Sequence, residues 1–200
     1  MLKQFLGSPA VYQMFQQAGG FFGARLKSIE EFLDVKPGQR IIDIGCGPGY
    51  IVKYLPENID YIGFDIDQAY IDHANKEFGK RGRFFCRYFD STAAEEFAPA
   101  DIVMMNGVLH HIPDEELIAT LGNISKVLAP GGKLFTLDGC YHPGQTRFQK
   151  WMLDNDRGQY VRDEVGYRQL LSKVFSDVSL NLRDNYSRVP YSFVIGIASN

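Results

Sequence analysis

The run Ile41-Ile42-Asp43-Ile44-Gly45-Cys46-Gly47-Pro48-Gly49 sets three glycines at alternate positions directly after an apolar stretch, with an acid two residues before the first of them. Glycines in such a turn let backbone approach a ligand where a Cβ would block either the dihedral angles or the contact, and a following helix offers unpaired N–H groups. The chemistry this suits is the holding of a cofactor, with a negative group expected near Gly47. A dinucleotide loop reads G-x-G-x-x-G, its third glycine letting the helix pack on the strand. Here the run is G-x-G-x-G and Tyr50 stands in that third place, so a nicotinamide dinucleotide is disfavoured. Asp43 is an odd neighbour for a pyrophosphate but suits a cationic ligand.

A second acid, Asp65, falls twenty residues beyond Gly45 at the end of Tyr61-Ile62-Gly63-Phe64-Asp65. An acid at the end of the neighbouring strand reaches ribose hydroxyls and repels a 2′-phosphate, which points to a nucleoside-like ligand. Asp67 is expected to cap the helix carrying Tyr70, Ile71, Ala74 and Phe78. Candidates for a general base are His110, His111, Tyr141 and His142, histidine having an unperturbed pKa of about 6.5. The alternative is that one histidine of the adjacent pair packs or caps the next helix while the other contacts the cofactor. His110 and His111 with Cys46 or Asp138 show no metal-ligand spacing, and no metal is expected.

These residues must be positioned by an alternating α/β chain. Strands are expected at Arg40–Ile44, Tyr61–Asp65, Arg83–Tyr88, Asp101–Asn106 and Lys133–Asp138. The fourth is continuous in apolar character, as a strand buried on both faces should be. Between them come a helix from Tyr50, a helix after Asp67, a surface turn or short helix over Ala93–Phe97, and a helix with Leu117, Leu121 and Ile124 on one face, ended by Pro130-Gly131-Gly132. The alternation predicts a doubly wound sheet. Ahead of it, two helices broken near Gly19-Gly20 are expected; after it, helices over 146–155 and 163–173 and strands over 174–182 and 191–198.

At this point the sequence resembles the class I S-adenosylmethionine (SAM) methyltransferases that act on small molecules, through Asp43-Ile44-Gly45-Cys46-Gly47-Pro48-Gly49 and through Gly107-Val108-Leu109-His110-His111-Ile112-Pro113-Asp114. The resemblance covers roughly residues 38–198. It implies a three-layer, Rossmann-like, mostly parallel sheet of seven strands closed by a C-terminal antiparallel hairpin, with SAM as cofactor. It implies cofactor contacts from Asp43, Gly45, Cys46, Gly47, Gly49, Asp65, Ile66, Asp90, Ser91 and Asn106. Of these, Ile66 would pack on the adenine, Asp90 would accept from its amino group and the next backbone N–H would meet the ring. Residues 1–36 would form a helical cap lying over the cofactor and part of the substrate pocket, the alternative being a packing helix with ordinary core aromatics, and 37–200 the core, in one domain.

The function so implied is in-line transfer of a methyl group to a small-molecule or lipid-like acceptor, with His110 and His111 as catalytic candidates. Oxygen or carbon is favoured over amide nitrogen, since Met105-Asn106-Gly107-Val108 stands where an Asn-Pro-Pro-Tyr type of motif would grip a planar amine. The alternative is a SAM-binding protein without transfer; an NAD-linked oxidoreductase would need the missing glycine. Composition sets outer limits. Two hundred residues, 45% hydrophobic, fit one domain. Twenty-one Lys and Arg against 24 acids, net −3, make duplex nucleic acid an unexpected partner, since it binds largely through phosphate neutralisation. Three unpaired cysteines, the absence of a membrane-length apolar run and the short apolar content of Met1–Gly7 suggest a cytoplasmic setting. Oligomeric state is left open.

Overall fold

The structure is a computed structural model that describes residues 19–200; the first of the two expected N-terminal helices lies outside that range. The second is α1 (Phe21–Phe32), which precedes β1 (Arg40–Ile44). The core then runs β2 (Asp60–Asp65), α2 (Gln68–Phe78), β3 (Gly82–Cys86), α3 (Ser91–Phe97), β4 (Ala100–Asn106), α4 (Asp114–Val127) and β5 (Leu128–Tyr141). It closes with α5 (Arg147–Asp154), β6 (Arg162–Asp163), α6 (Glu164–Leu171), β7 (Asp177–Arg183) and β8 (Phe193–Ser199).

Sheet order is β3-β2-β1-β4-β5-β8-β7. Strands β1 to β5 are mutually parallel, whereas β8 runs antiparallel to both β5 and β7. The fold is thus the expected doubly wound α/β sheet with a closing hairpin. The two-residue β6, parallel to Cys140-Tyr141 of β5, was not expected.

Because successive side chains of a strand point to opposite faces, each central strand feeds two cores. Ile42, Ile62 and Val103 join Leu117, Leu121 and Ile124 of α4 on one face. Ile41, Tyr61, Ile102 and Met104 join Ile29 of α1 and Ile71 of α2 on the other. Those two apolar layers, with the sheet between them, make β1 to β4 rigid where the glycine loop emerges.

Three local expectations are corrected. After Gly49 the chain forms a five-residue 3-10 helix, Tyr50–Tyr54, and no α-helix. The segment holds β-branched Ile51 and Val52 and meets Pro56 just beyond, both unfavourable to helix extension. Of the two readings for Ala93–Phe97, the surface turn gives way to the short helix: α3 buries Ala93, Ala94 and Phe97 on the face it turns to the sheet and leaves Glu95 and Glu96 exposed. β5 begins earlier than expected, pairing Leu128 with Ala100 before a register shift. As expected, Asp67 caps α2, accepting from the N–H groups of Ala69 and Tyr70.

Ile42 is fully buried between β2 and β4 at the centre of this frame. Ile42→Ala should cost about 2–5 kcal/mol through lost burial and the cavity left behind, lowering the melting temperature by about 5–15 °C; a thermal melt followed by circular dichroism checks this.

Candidate functional site

The order reversal between β1 and β4 opens a crevice at the C-terminal ends of the strands, where open α/β sheets bind ligands. A cavity of about 970 Å³ lies there, at the upper end of the size range of small-molecule sites. Its floor is the glycine loop. Gly45, Gly47 and Gly49 all have positive φ, 75°, 56° and 78°, a region that strains other residues. At Gly45 a Cβ would also stand 2.4 Å from Val108 Cγ2, so the loops after β1 and β4 meet there without room for a side chain. Nothing stands within 4 Å of the corresponding position at Gly47, which leaves that backbone open toward the cavity. The loop is pinned from below, the N–H groups of Gly45 and Cys46 both donating to Phe64 O at 2.8 and 3.0 Å.

Asp65 lines the cavity. Its Oδ2 accepts from the Gly47 N–H at 2.8 Å and its Oδ1 from the Asp67 N–H at 2.9 Å. This carboxylate therefore stands beside the Gly47 N–H, and each of its oxygens keeps a further lone pair for a hydroxyl donor. Asp43 is buried beneath the loop. Tyr61 donates to its Oδ2 at 2.6 Å, while Oδ1 has no partner among the described residues. Burial pushes its pKa up to about 7, opposed by the Tyr61 hydrogen bond and by the charge of Arg25. Asn106, 4% exposed, lines the cavity with neither amide atom partnered among the described residues. A buried polar group left unpaired costs about 1–3 kcal/mol, so these atoms call for a polar ligand. Ile66, 62% exposed, and Val108 supply apolar walls. Cys46 also lines the cavity, but burial and the carboxylates of Asp43 and Asp65 push its thiol pKa well above the usual value, which makes it no nucleophile.

Other expected residues are placed elsewhere. Asp90 is the N-cap of α3, accepting from the Ala93 N–H at 2.9 Å; it and Ser91 are exposed, and Arg87, Tyr88 and Phe89 of the same segment line the cavity in their stead. Tyr141 donates to Asp154 and His142 pairs with Asp184, and neither lines the cavity. Missed by sequence reasoning are Phe22 and Arg25, which α1 brings into the lining, with Tyr50, Lys53 and Tyr54 from the 3-10 helix. Their only signal was a helix placed before the first strand.

The two adjacent histidines part company. His110, 6% exposed, sits between two carboxylates, with Nδ1 2.7 Å from Asp138 Oδ1 and Nε2 3.3 Å from Asp156 Oδ1. Burial disfavours its charge, but the hydrogen bonds to Asp138 and Asp156 prevail and lift its pKa to about 9. Asp156 is pushed up by burial and drawn down to about 2 by hydrogen bonds from His110, the Gly158 N–H and Tyr191. The cluster ties the segment after α5 to the strand ends: Tyr160 N–H donates to His110 O, and Arg162 donates to Leu109 O, Tyr160 O, Ile112 O and Asp114. His111, its ring centroid 4.3 Å from that of His110, lines the cavity. Although the ring is exposed, partial desolvation against the cavity wall and the neighbouring His110 charge lower its pKa to about 4. At neutral pH the pair therefore consists of a charged clamp and a neutral imidazole facing the cavity. Among the described residues no His/Cys/Asp/Glu cluster has the makings of a metal site.

Comparison with known proteins agrees with this geometry. Residues 42–134 match the family model described as a methyltransferase domain. The chain is 29% identical over 171 residues to a phosphoethanolamine N-methyltransferase of Triticum aestivum, covering 83% of this chain and 33% of that protein. It is 30% identical over 115 residues to a ubiquinone biosynthesis O-methyltransferase of Idiomarina loihiensis, covering 56% and 46%. Thus it spans about a third to a half of the length of these curated relatives. In fold it is similar to a TehB-like SAM-dependent methyltransferase of Corynebacterium glutamicum, with a TM-score of 0.64, 18% identity and 94% of each chain covered. It is also similar to human N-acetylserotonin methyltransferase in complex with SAM, with a TM-score of 0.69, 20% identity, and 100% of this chain and 59% of that one covered. The resemblance carried by the glycine loop is borne out at the level of a methyltransferase domain over residues 42–134. Among the described residues no helix is long and apolar enough to cross a membrane.

A histidine whose pKa is higher in the fold than in the unfolded chain adds stability that is fully present below the unfolded value of about 6.5. That contribution is lost as pH rises through the folded value of about 9. Denaturant unfolding should show the parent losing about 2–3 kcal/mol more than His110→Gln between pH 6.5 and 9.5; parallel curves would mean a neutral His110 in the fold.

Proposed function

We propose that this chain, which carries a class I methyltransferase domain, transfers the methyl group of SAM to a small acceptor bound in the same cavity. What supports the reading most is the meeting in one cavity wall of a glycine loop open at Gly47, the clasped carboxylate of Asp65 and the unpartnered amide of Asn106, with the buried carboxylate of Asp43 beneath the loop. These are the donor and acceptor types a nucleoside joined to a zwitterionic amino acid demands. Asp65 would hold the ribose hydroxyls, and Ile66 and Val108 the faces of the adenine. Asn106, Arg25 and the backbone of Gly45 and Gly47 would take the amino-acid end, with Asp43 answering the positive charge from below. Asp90 holds its helix cap and leaves the adenine edge to its neighbours.

Bound SAM supplies an electrophilic methyl on a sulfonium. The chain must then hold an acceptor lone pair in line with the bond that breaks and keep water away, an orientation effect that can be worth about 7–11 kcal/mol. Phe22 of α1 and Tyr50 and Tyr54 of the 3-10 helix wall the cavity with aromatic surface, and Phe22 packs edge-on against both tyrosines at 6.5 and 5.6 Å. Lys53 in the same lining favours an acceptor with an anionic group beside an apolar body. Neutral His111 can take a proton from an acceptor hydroxyl, a role worth about 10²–10⁴-fold where the acceptor is protonated. His110, enclosed by its carboxylates, holds that imidazole in place and stays out of proton transfer. We read the acceptor atom as oxygen or carbon in preference to amide nitrogen, in a small or lipid-like molecule.

Titration calorimetry with SAM, S-adenosylhomocysteine and NAD, followed by labelled-methyl transfer to a panel of acceptors, tests the whole reading. Binding of the adenosyl ligands without transfer to any acceptor would favour a SAM-binding protein. Asp65→Ala should weaken SAM about ten- to hundredfold, the worth of a hydrogen bond to a charged group; unchanged affinity would take Asp65 out of the site. With a hydroxyl acceptor, His111→Gln should lower kcat about 10²-fold or more while SAM affinity holds within a few-fold. Equal loss of both would make the residue a wall of the cofactor site and no base.

A further inference from the structure

One surface feature has no part in the cavity. On α5 the side chains of Gln149 and Leu153 face inward and are buried, while Phe148 and Trp151 stand 48% and 49% exposed, their rings stacked at 5.8 Å and 27°. Flanking them are Arg147 and Lys150, both exposed and neither in an ion pair with any described residue. The acid of this helix, Asp154, accepts from Tyr141 at 2.8 Å. The outer face of α5 is thus aromatic and basic on a protein whose net charge is −3.

We infer that this face of α5 docks the protein on an anionic lipid surface, with Phe148 and Trp151 entering the headgroup region and Arg147 and Lys150 meeting lipid phosphates. A short amphipathic helix with Trp and Phe beside Lys and Arg is suited to the membrane interface, where an amphipathic indole finds apolar contact for its ring and polar partners for its N–H. A second copy of the chain is the weaker occupant on two counts. A twofold contact sets the same patch on both partners, bringing Arg147 and Lys150 against their own kind. Two rings also fall well short of the roughly 800 Å² per partner of a stable interface. Location adds to the case: α5 follows the C-terminal end of β5, and the segment just after it is held by His110 at the cavity's edge.

Trp151 is the only tryptophan of the chain, so its emission reports on this patch without a label. Mixed phosphatidylcholine–phosphatidylglycerol vesicles should shift the emission of the full chain to the blue, protect it from aqueous quenchers and carry the protein down on sedimentation. The effect should weaken in pure phosphatidylcholine and at high salt. R147E/K150E should lower partitioning at least about thirtyfold, about fivefold for each basic charge removed and more for its reversal, and Phe148→Ala should lower it further. W151F, followed by sedimentation alone, should still bind. Melting curves of all variants should match the parent, since these side chains face away from the core. No shift with any vesicle would overturn the inference. So would a blue-shifted, quencher-protected emission without lipid, whether it rises with protein concentration, as for a second copy, or not, as for a covering segment of the chain itself. Docking asks nothing of the cofactor site, so vesicle binding can fail while SAM binding stands, and the reverse.

Discussion

The closest approach in the cavity floor is that of Gly45 to Val108, where a single Cβ would intrude to 2.4 Å. It follows from the register of three parallel strands. Ile44 of β1 pairs with Phe64 of β2 on one side and with Met105 of β4 on the other, so the chain leaves all three strands at nearly one level. Their loops must then share the same space. Only a residue without a side chain can turn there, at φ 75°, and only then can the Phe64 carbonyl receive the N–H groups of Gly45 and Cys46 together. Asp65, the next residue of β2, is thereby brought within 2.8 Å of the Gly47 N–H. The same close approach puts Val108 against the loop and sets where the chain after β4 begins, hence where His110 and His111 fall.

From that point charge takes over from sterics. Neighbouring residues of the short 3-10 helix Leu109–His111 present different surroundings to their side chains, and here one imidazole is enclosed by Asp138 and Asp156 while the other looks into the cavity. A buried cation between two carboxylates is tolerable only because both are hydrogen-bonded to it, and removing one partner would strand the rest. The arrangement makes the segment after α5 a dependent part of the site's wall, along with Arg162, whose guanidinium gathers the carbonyls of Leu109, Ile112 and Tyr160. The charge of His110 also helps keep His111 neutral.

How much of this the sequence discloses depends on whether the cause is local. The glycine loop, the Asp67 cap and the strand ends are legible because backbone geometry there demands particular residue types at fixed spacing. Asp90 was placed on the adenine by resemblance; an acid directly before Ser91-Thr92-Ala93 is also a helix start, and one of its oxygens, Oδ1, makes that cap. The division of labour between His110 and His111 could not be read, because it is made by Asp156, forty-six residues further on, and by a turn no periodicity announces. Arg25 was likewise silent: a single basic residue on an amphipathic helix looks like solvated surface until the helix is seen to cross the cavity.

That crossing is itself held from the far edge of the sheet. Glu31, near the end of α1, is bonded by Arg183 at 2.6 Å and by the hydroxyl of Tyr186, while the Arg188 and Val189 N–H groups donate to Gly19 O ahead of the helix. Both contacts come from the end of β7 and its connection to β8, the antiparallel pair that adds nothing to the glycine loop. Lys27 lies over the Tyr186 ring at 4.6 Å and the Arg183 guanidinium over the Phe32 ring at 5.1 Å, so the clasp is aromatic as well as ionic. Exposed pairs of this kind are individually weak, and orientation comes from several acting on one helix at both ends. The closing hairpin therefore has a physical reason to accompany the doubly wound core: it fixes the helix that carries Phe22 and Arg25 to the cavity, which the parallel strands alone would leave without a wall on that side.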